Sequence, residues 1–549
     1  MSRPLAAFFD EVLGFLWSAS PTMATSLGVH DHDHRLVDWD PAALAARLQA
    51  LAAYRRDLAR RVVSDGPSTA AEALDARLLG DLLESERRVL EEVRAPFRDP
   101  GAYLEEILYG VYYLVQRDFA PLPERASRVA ARLREAARLL RQGEANLSDP
   151  RAIPRAWIEA ALRQAEGSLG FFRDLDRDLA PRAGAAEKDL RAALAGAIHA
   201  IDRFVEHLRG RLLTEARGDF AIGRDLFDFL LRTQHGLELD AGALRAFGAE
   251  QVARTQERLV AAAGAFDPGA SWQGLVAAWK ADHPTREEFA ADYRREVDRA
   301  RDFVLQKRLV TFPPGERLHV VETPSFQRSI CPFAAYLAPG PFEAEQDGYF
   351  WVTPPEDGQP APVQAKHLQD HLRPGIPGTT VHEAYPGHHL QLSLANRIDS
   401  RVRRSVGTPV LVEGWAFYCE QLMAEEGYYE DPRSRVLQLK DALWRSCRVL
   451  IDVGLHTEGM TIDQAVAMLH DVARLEVTTA RGEVLRYTRT PTQPMSYAAG
   501  KHEILRLRED YRRLRGAAFR LCEFHDRLLS FGSIPIALIR ERLLAGLPS

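Results

Sequence analysis

Lysine is almost missing from this chain: six lysines stand against 65 arginines, and the arginines are spread along all 549 residues. So even a spread reads as a compositional bias rather than a functional signal. The formal charge of −6 leaves no basic stripe of the kind that follows a phosphate backbone, so no nucleic-acid partner is expected. Cysteine is equally sparse. Cys331, Cys419, Cys447 and Cys522 lie far apart with no C-x-x-C spacing, which excludes a disulfide framework and a thiolate zinc site and predicts reduced, mostly buried thiols. Also lacking is an apolar run of membrane length, about 20 residues. The apolar stretch near the N-terminus is short and meets Asp10 and Glu11, unlike a signal peptide. The expected address is therefore cytoplasmic, with no membrane partner.

The hydrophobic content is 46%, enough for one large core or two lobes in a chain of this length. Two regions differ in character. Residues 1–305 form a predicted helical lobe, rich in Ala, Leu, Arg and Glu from about residue 40. Ile198, Ile201, Phe204, Val205 and Leu208 illustrate the apolar stripe of an amphipathic helix. Residues 306–549 form the second predicted lobe. It opens with a Pro- and Gly-rich stretch holding the β-prone run Gly348 to Thr353, and continues as helices. The expected fold is mainly α, with a small sheet; Tyr349 to Thr353 is the candidate edge strand along which an extended peptide could align.

One further absence is informative. The run His382-Glu383-Ala384-Tyr385-Pro386-Gly387-His388-His389 begins like the zinc-binding His-Glu-x-x-His helix, but Pro386 occupies the place of the second histidine. The next histidines fall six and seven positions after His382. On a regular helix the sixth position is rotated about 120° and the seventh is displaced roughly 10 Å along the axis, so neither chelates with His382. Pro386 cannot continue a regular helix, and Gly387 gives the backbone freedom. A bulge absorbing about two residues would bring His388 to the ligand position, with His389 as the alternative. Glu413, 25 positions beyond His388, is the candidate third ligand on a later helix. Glu383, beside the first histidine, is the candidate general base.

His382 to Gln391, followed by Glu413-Gly414-Trp415-Ala416, resembles the bacterial family known as domain of unknown function 885. Asp452 to His456 and Gln493 to Gly500 are similar to further segments of that family, and Ser26 to His30 resembles its opening loosely. The resemblance implies a large helical zincin-like fold akin to the angiotensin-converting-enzyme and thimet-type oligopeptidases, with the small sheet beside the metal. It also implies that Tyr497 or His456 donates a hydrogen bond to a developing oxyanion. The resulting expectation is a zinc metallopeptidase acting on short peptides.

Each of these readings has a plainer rival. His382, Glu383, His388 and Glu413 could be a polar helix face with a buried, satisfied glutamate; Tyr497 and His456 could be packed core residues. The metal site could be structural or belong to a peptide-binding module, which a fourth protein ligand would indicate, or it could hydrolyse a non-peptide amide. The tract His30-Asp31-His32-Asp33-His34 reads as a solvated loop rather than a chelator.

Overall fold

The computed structural model describes residues 5–64, 66–323, 328, 333–356 and 358–545. Cys331 lies outside the described residues; Cys419 and Cys447 are free and buried, and Cys522 is free and half-buried. The architecture is mainly α-helical with one three-stranded sheet, and none of the described helices is long and apolar enough to cross a membrane.

The chain divides into two units, one comprising 1–220 with 324–332 and 339–345, the other 221–323 with 333–338 and 346–549. The first unit is a stack of helices stabilised by amphipathic burial. Its helix Glu187–His207 buries Leu190, Leu194, Ile201, Phe204 and Val205 along one stripe, as the spacing predicts. The histidine–aspartate tract is solvated at Asp31 and His34 but turns Asp33 inward. Asp33 is buried, accepting from Thr25 (2.6 Å) and Arg128 (2.8 Å), while His30 bridges Asp33 and Glu343. Buried carboxylates persist when paired in this way.

In the second unit, strands β1 (Leu318–Glu322), β2 (Ala334–Leu337) and β3 (Gly348–Val352) form a sheet in the order β1-β3-β2, with β1 parallel and β2 antiparallel to β3. The helices that matter for the site are α1 (Ala241–Phe266), α2 (Phe289–Lys307), α3 (Ile376–Glu383), α4 (His388–Ala395), α5 (Pro409–Glu425), α6 (Pro432–Thr457) and α7 (Ser496–Arg515). Two expectations are corrected here. The division falls near residue 220, not 305, because α1 packs along α6 and α2 covers the sheet, with Tyr293 edge-on to Phe350 at 5.7 Å. The shift to proline and glycine near 306 marks the end of a helix, not of a unit. The predicted strand at 349 exists, but it is the central one: Phe350, Trp351 and Val352 are buried and it pairs with a strand on either side, whereas β2 is an edge.

Candidate metal centre

Helix α3 ends at Glu383, and α4 begins at His388. The expected bulge is therefore a full stop and restart. Ala384 and Gly387 both leave the helical region (ψ −94° and −132°). A Cβ on Gly387 would lie 2.0 Å from the His382 carbonyl oxygen, so only glycine permits this fold-back. The indole N–H of Trp415 donates to the Pro386 carbonyl (2.8 Å), tying the break to α5. The sharp reversal places the rings of His382 and His388 4.8 Å apart and perpendicular.

Thr408 caps α5 by accepting from the Val410 N–H, and Glu413 follows in its second turn. Its carboxylate lies 3.6 Å from His382 Nε2 and 3.4 Å from His388 Nε2, and one ligand atom from each of the three residues falls within 4.8 Å of the others. Donor atoms at about 2.0–2.1 Å from one tetrahedral ion are about 3.3 Å apart. Two imidazoles and a carboxylate so gathered form a donor set that could hold a metal ion. Burial works against charge here, yet Glu413 and Glu420 lift His382 to about 9, and the two histidines hold Glu413 well below the usual carboxylate range. The neighbouring carboxylates thus favour a positive charge on His382.

Behind His382 stands Glu420, also on α5. Its carboxylate accepts from His382 Nδ1 at 2.8 Å, fixing the tautomer that leaves Nε2 facing Glu413. Arg445 (3.2 Å) and Gln438 (3.4 Å) hold Glu420 in turn. Glu420 lies two helical turns after Glu413, on the same face. That periodicity is the sequence signal for a role that the motif alone left unassigned.

A model of the family described as "Bacterial protein of unknown function (DUF885)" matches residues 21–543. The chain belongs to this family. Among solved structures, the DUF885 chain is similar to a candidate lipoprotein of unknown function from Shewanella oneidensis (28% identity, TM-score 0.82, covering 99% of this chain and 100% of that one). It also shares its fold with a candidate lipoprotein from Colwellia psychrerythraea (19% identity, TM-score 0.80, 98% of each chain). Comparison with curated proteins finds no match.

The remaining residues singled out in this DUF885 sequence separate clearly. Glu383, at the last position of α3, accepts from the main-chain N–H of Tyr336 on β2 at 3.1 Å. The register pairs Ala335 with Trp351 and turns the main-chain groups of Ala334 and Tyr336 away from β3, so the outer edge of β2 faces Glu383. His389 points elsewhere from His388. Fully buried, it spans Glu316 (2.6 Å from Nε2) and the Tyr336 hydroxyl (3.0 Å from Nδ1), bracing the edge strand rather than joining the cluster.

Tyr497 stacks over His382 with ring centroids 6.2 Å apart, and burial together with the nearby Glu413 charge pushes its phenol up. It is held there by contact between helices. A Cβ on Gly414 would lie 2.5 Å from Gly500 Cα, and one on Gly500 would lie 1.8 Å from the Val410 oxygen, so α5 and α7 meet backbone to backbone one turn beyond Tyr497. Asp452 accepts from the Thr492 and Met495 N–H groups, fixing the approach to α7. His456 is not part of the cluster. It is fully buried on α6, with Nε2 donating to the Tyr487 carbonyl (3.0 Å) and its ring stacked on Phe227.

Proposed function

We propose that this protein is a zinc-dependent peptidase of the glutamate-zincin type, hydrolysing peptide bonds in short peptides. The observation that carries the reading is the convergence of His382, His388 and Glu413 at ligand spacing, with Glu420 orienting His382 from behind. His382, His388 and Glu413 would hold the ion. Zinc, when bound, supplies Lewis acidity, polarising a scissile carbonyl and lowering the pKa of water toward neutrality. Glu383 takes the proton of the attacking water and returns it to the leaving amine. Tyr497, beside His382 and Glu413, donates to the oxygen on which negative charge develops. The outer edge of β2, adjacent to Glu383, receives the substrate backbone in extended form by strand addition.

The test pairs metal analysis with a peptide-library digest read by mass spectrometry. The wild type should carry one zinc per chain and cut peptides; Glu383→Gln should keep the zinc and cut none. A Glu383→Gln variant that turns over at the wild-type rate removes the general base, and a metal-loaded wild type that cuts no member of a broad library removes the peptidase. A cytoplasmic address is proposed from the sequence; the lipoprotein designation of the two relatives makes export the alternative, and cell fractionation decides between them.

A further inference from the structure

Helices α1, α5, α6 and α7 enclose a cavity of about 330 Å³, within the range of roughly 300–1,000 Å³ in which small-molecule sites fall. Its lining is charged in one sense. Arg254, Arg258, Arg435, Lys501 and Arg506 contribute to the wall against one carboxylate, Glu509. Arg254 and Arg506 are answered on their own helices by Glu250 (3.2 Å) and Glu503 (2.9 Å). Arg258, Arg435 and Lys501 form no ion pair among the described residues, although the three cations are near enough to repel one another. Lysine is a costly choice here: burial pushes the Lys501 amine down to about 7, Glu420 opposing it, Arg258 and Arg435 adding to it and Glu425 opposing more weakly.

Three cations drawn from three helices line one cavity, offset only in part by Glu420 and Glu425, so an anion entering it is attracted. The cavity also offers an apolar surface, for Phe417, over whose ring Lys501 Nζ sits at 4.2 Å, lines it together with Leu439 and Leu505. Arg258 is exposed at the cavity's rim, which leaves a path from solvent.

We propose that this cavity is a binding site for a small organic anion, with a phosphate or carboxylate head among Arg258, Arg435 and Lys501 and an apolar body against Phe417. The guanidinium groups supply forked donors suited to either head, and the ammonium supplies a point charge. The site stands independently of the peptidase reading, because none of its three cations belongs to the metal cluster.

Isothermal titration of the full-length protein tests it with phenyl phosphate, benzoate and the neutral benzyl alcohol as probes. One equivalent of an anionic probe should bind saturably, and benzyl alcohol should not. The tighter of phenyl phosphate and benzoate identifies the head group, and either result supports the site. Arg258→Ser, at an exposed position where folding is not at risk, should weaken binding about tenfold or more, and Lys501→Met should do the same. Absence of saturable binding by both anions, or unchanged affinity in Arg258→Ser, overturns the proposal.

Discussion

Replacing Glu420 separates the ion-binding reading from a merely polar helix face. In the wild type its carboxylate accepts from His382 Nδ1 at 2.8 Å while Arg445 and Gln438 hold the carboxylate in place. Glu420→Gln preserves shape and leaves a neutral acceptor for the same N–H. A hydrogen bond to a charged group contributes about 1.5–3 kcal/mol and a neutral one about 0.5–1.5 kcal/mol, so the exchange costs about 1–1.5 kcal/mol of His382 orientation. That corresponds to roughly a tenfold loss of zinc affinity, inside the 10–100-fold range seen when groups behind a metal ligand are removed. Glu420→Leu goes further, because the N–H loses its acceptor and Arg445 its nearest carboxylate; the loss should approach about 100-fold. Competition with a chromophoric chelator measures both constants, and circular dichroism checks the fold. Zinc affinities within twofold of wild type in both folded variants would refute the role given to Glu420 and, with it, the orientation of His382.

Gly414→Ala should destabilise the second unit by about 1–3 kcal/mol in urea unfolding, because its Cβ meets Gly500 Cα at 2.5 Å; a neutral result would mean that α5 and α7 do not touch as described. Tyr497→Phe should lower kcat far more than it changes KM, whereas unchanged kcat in a folded variant leaves the phenol a packing residue. Lys501 titrates near 7 in the folded protein and near 10.5 when unfolded. The unfolded chain therefore binds more protons across that window, and wild-type stability should gain a rise with pH between about 7 and 10 that Lys501→Met lacks. Thermal unfolding of both proteins at pH 7 and 9 measures the difference, and parallel curves would contradict it.

How much of this was legible in the sequence depended on range. Apolar periodicity revealed the helices, and the ligand types around Pro386 pointed to His382, His388 and Glu413 because those cues are local. The form of the break was not readable: that the helix stops outright depends on Gly387 folding against the His382 carbonyl and on Trp415, 29 positions away, anchoring Pro386. The edge strand was misassigned to Tyr349–Thr353 because strand order is decided by pairing between segments, which β-propensity does not encode. The surroundings of His456 and the division of the chain near 220 were hidden for a related reason. A histidine bonded to a carbonyl 31 positions away, and helices that pack onto a later sheet, carry no mark within their own segments.

Anomalous scattering at the zinc edge, from crystals of the wild-type protein grown with zinc, is the most direct measurement of all. One strong peak is expected about 2.0–2.2 Å from His382 Nε2, His388 Nε2 and a Glu413 oxygen, with the fourth position taken by water rather than protein. A peak elsewhere, no peak, or a site closed by a fourth side chain would contradict a hydrolytic zinc centre in this fold.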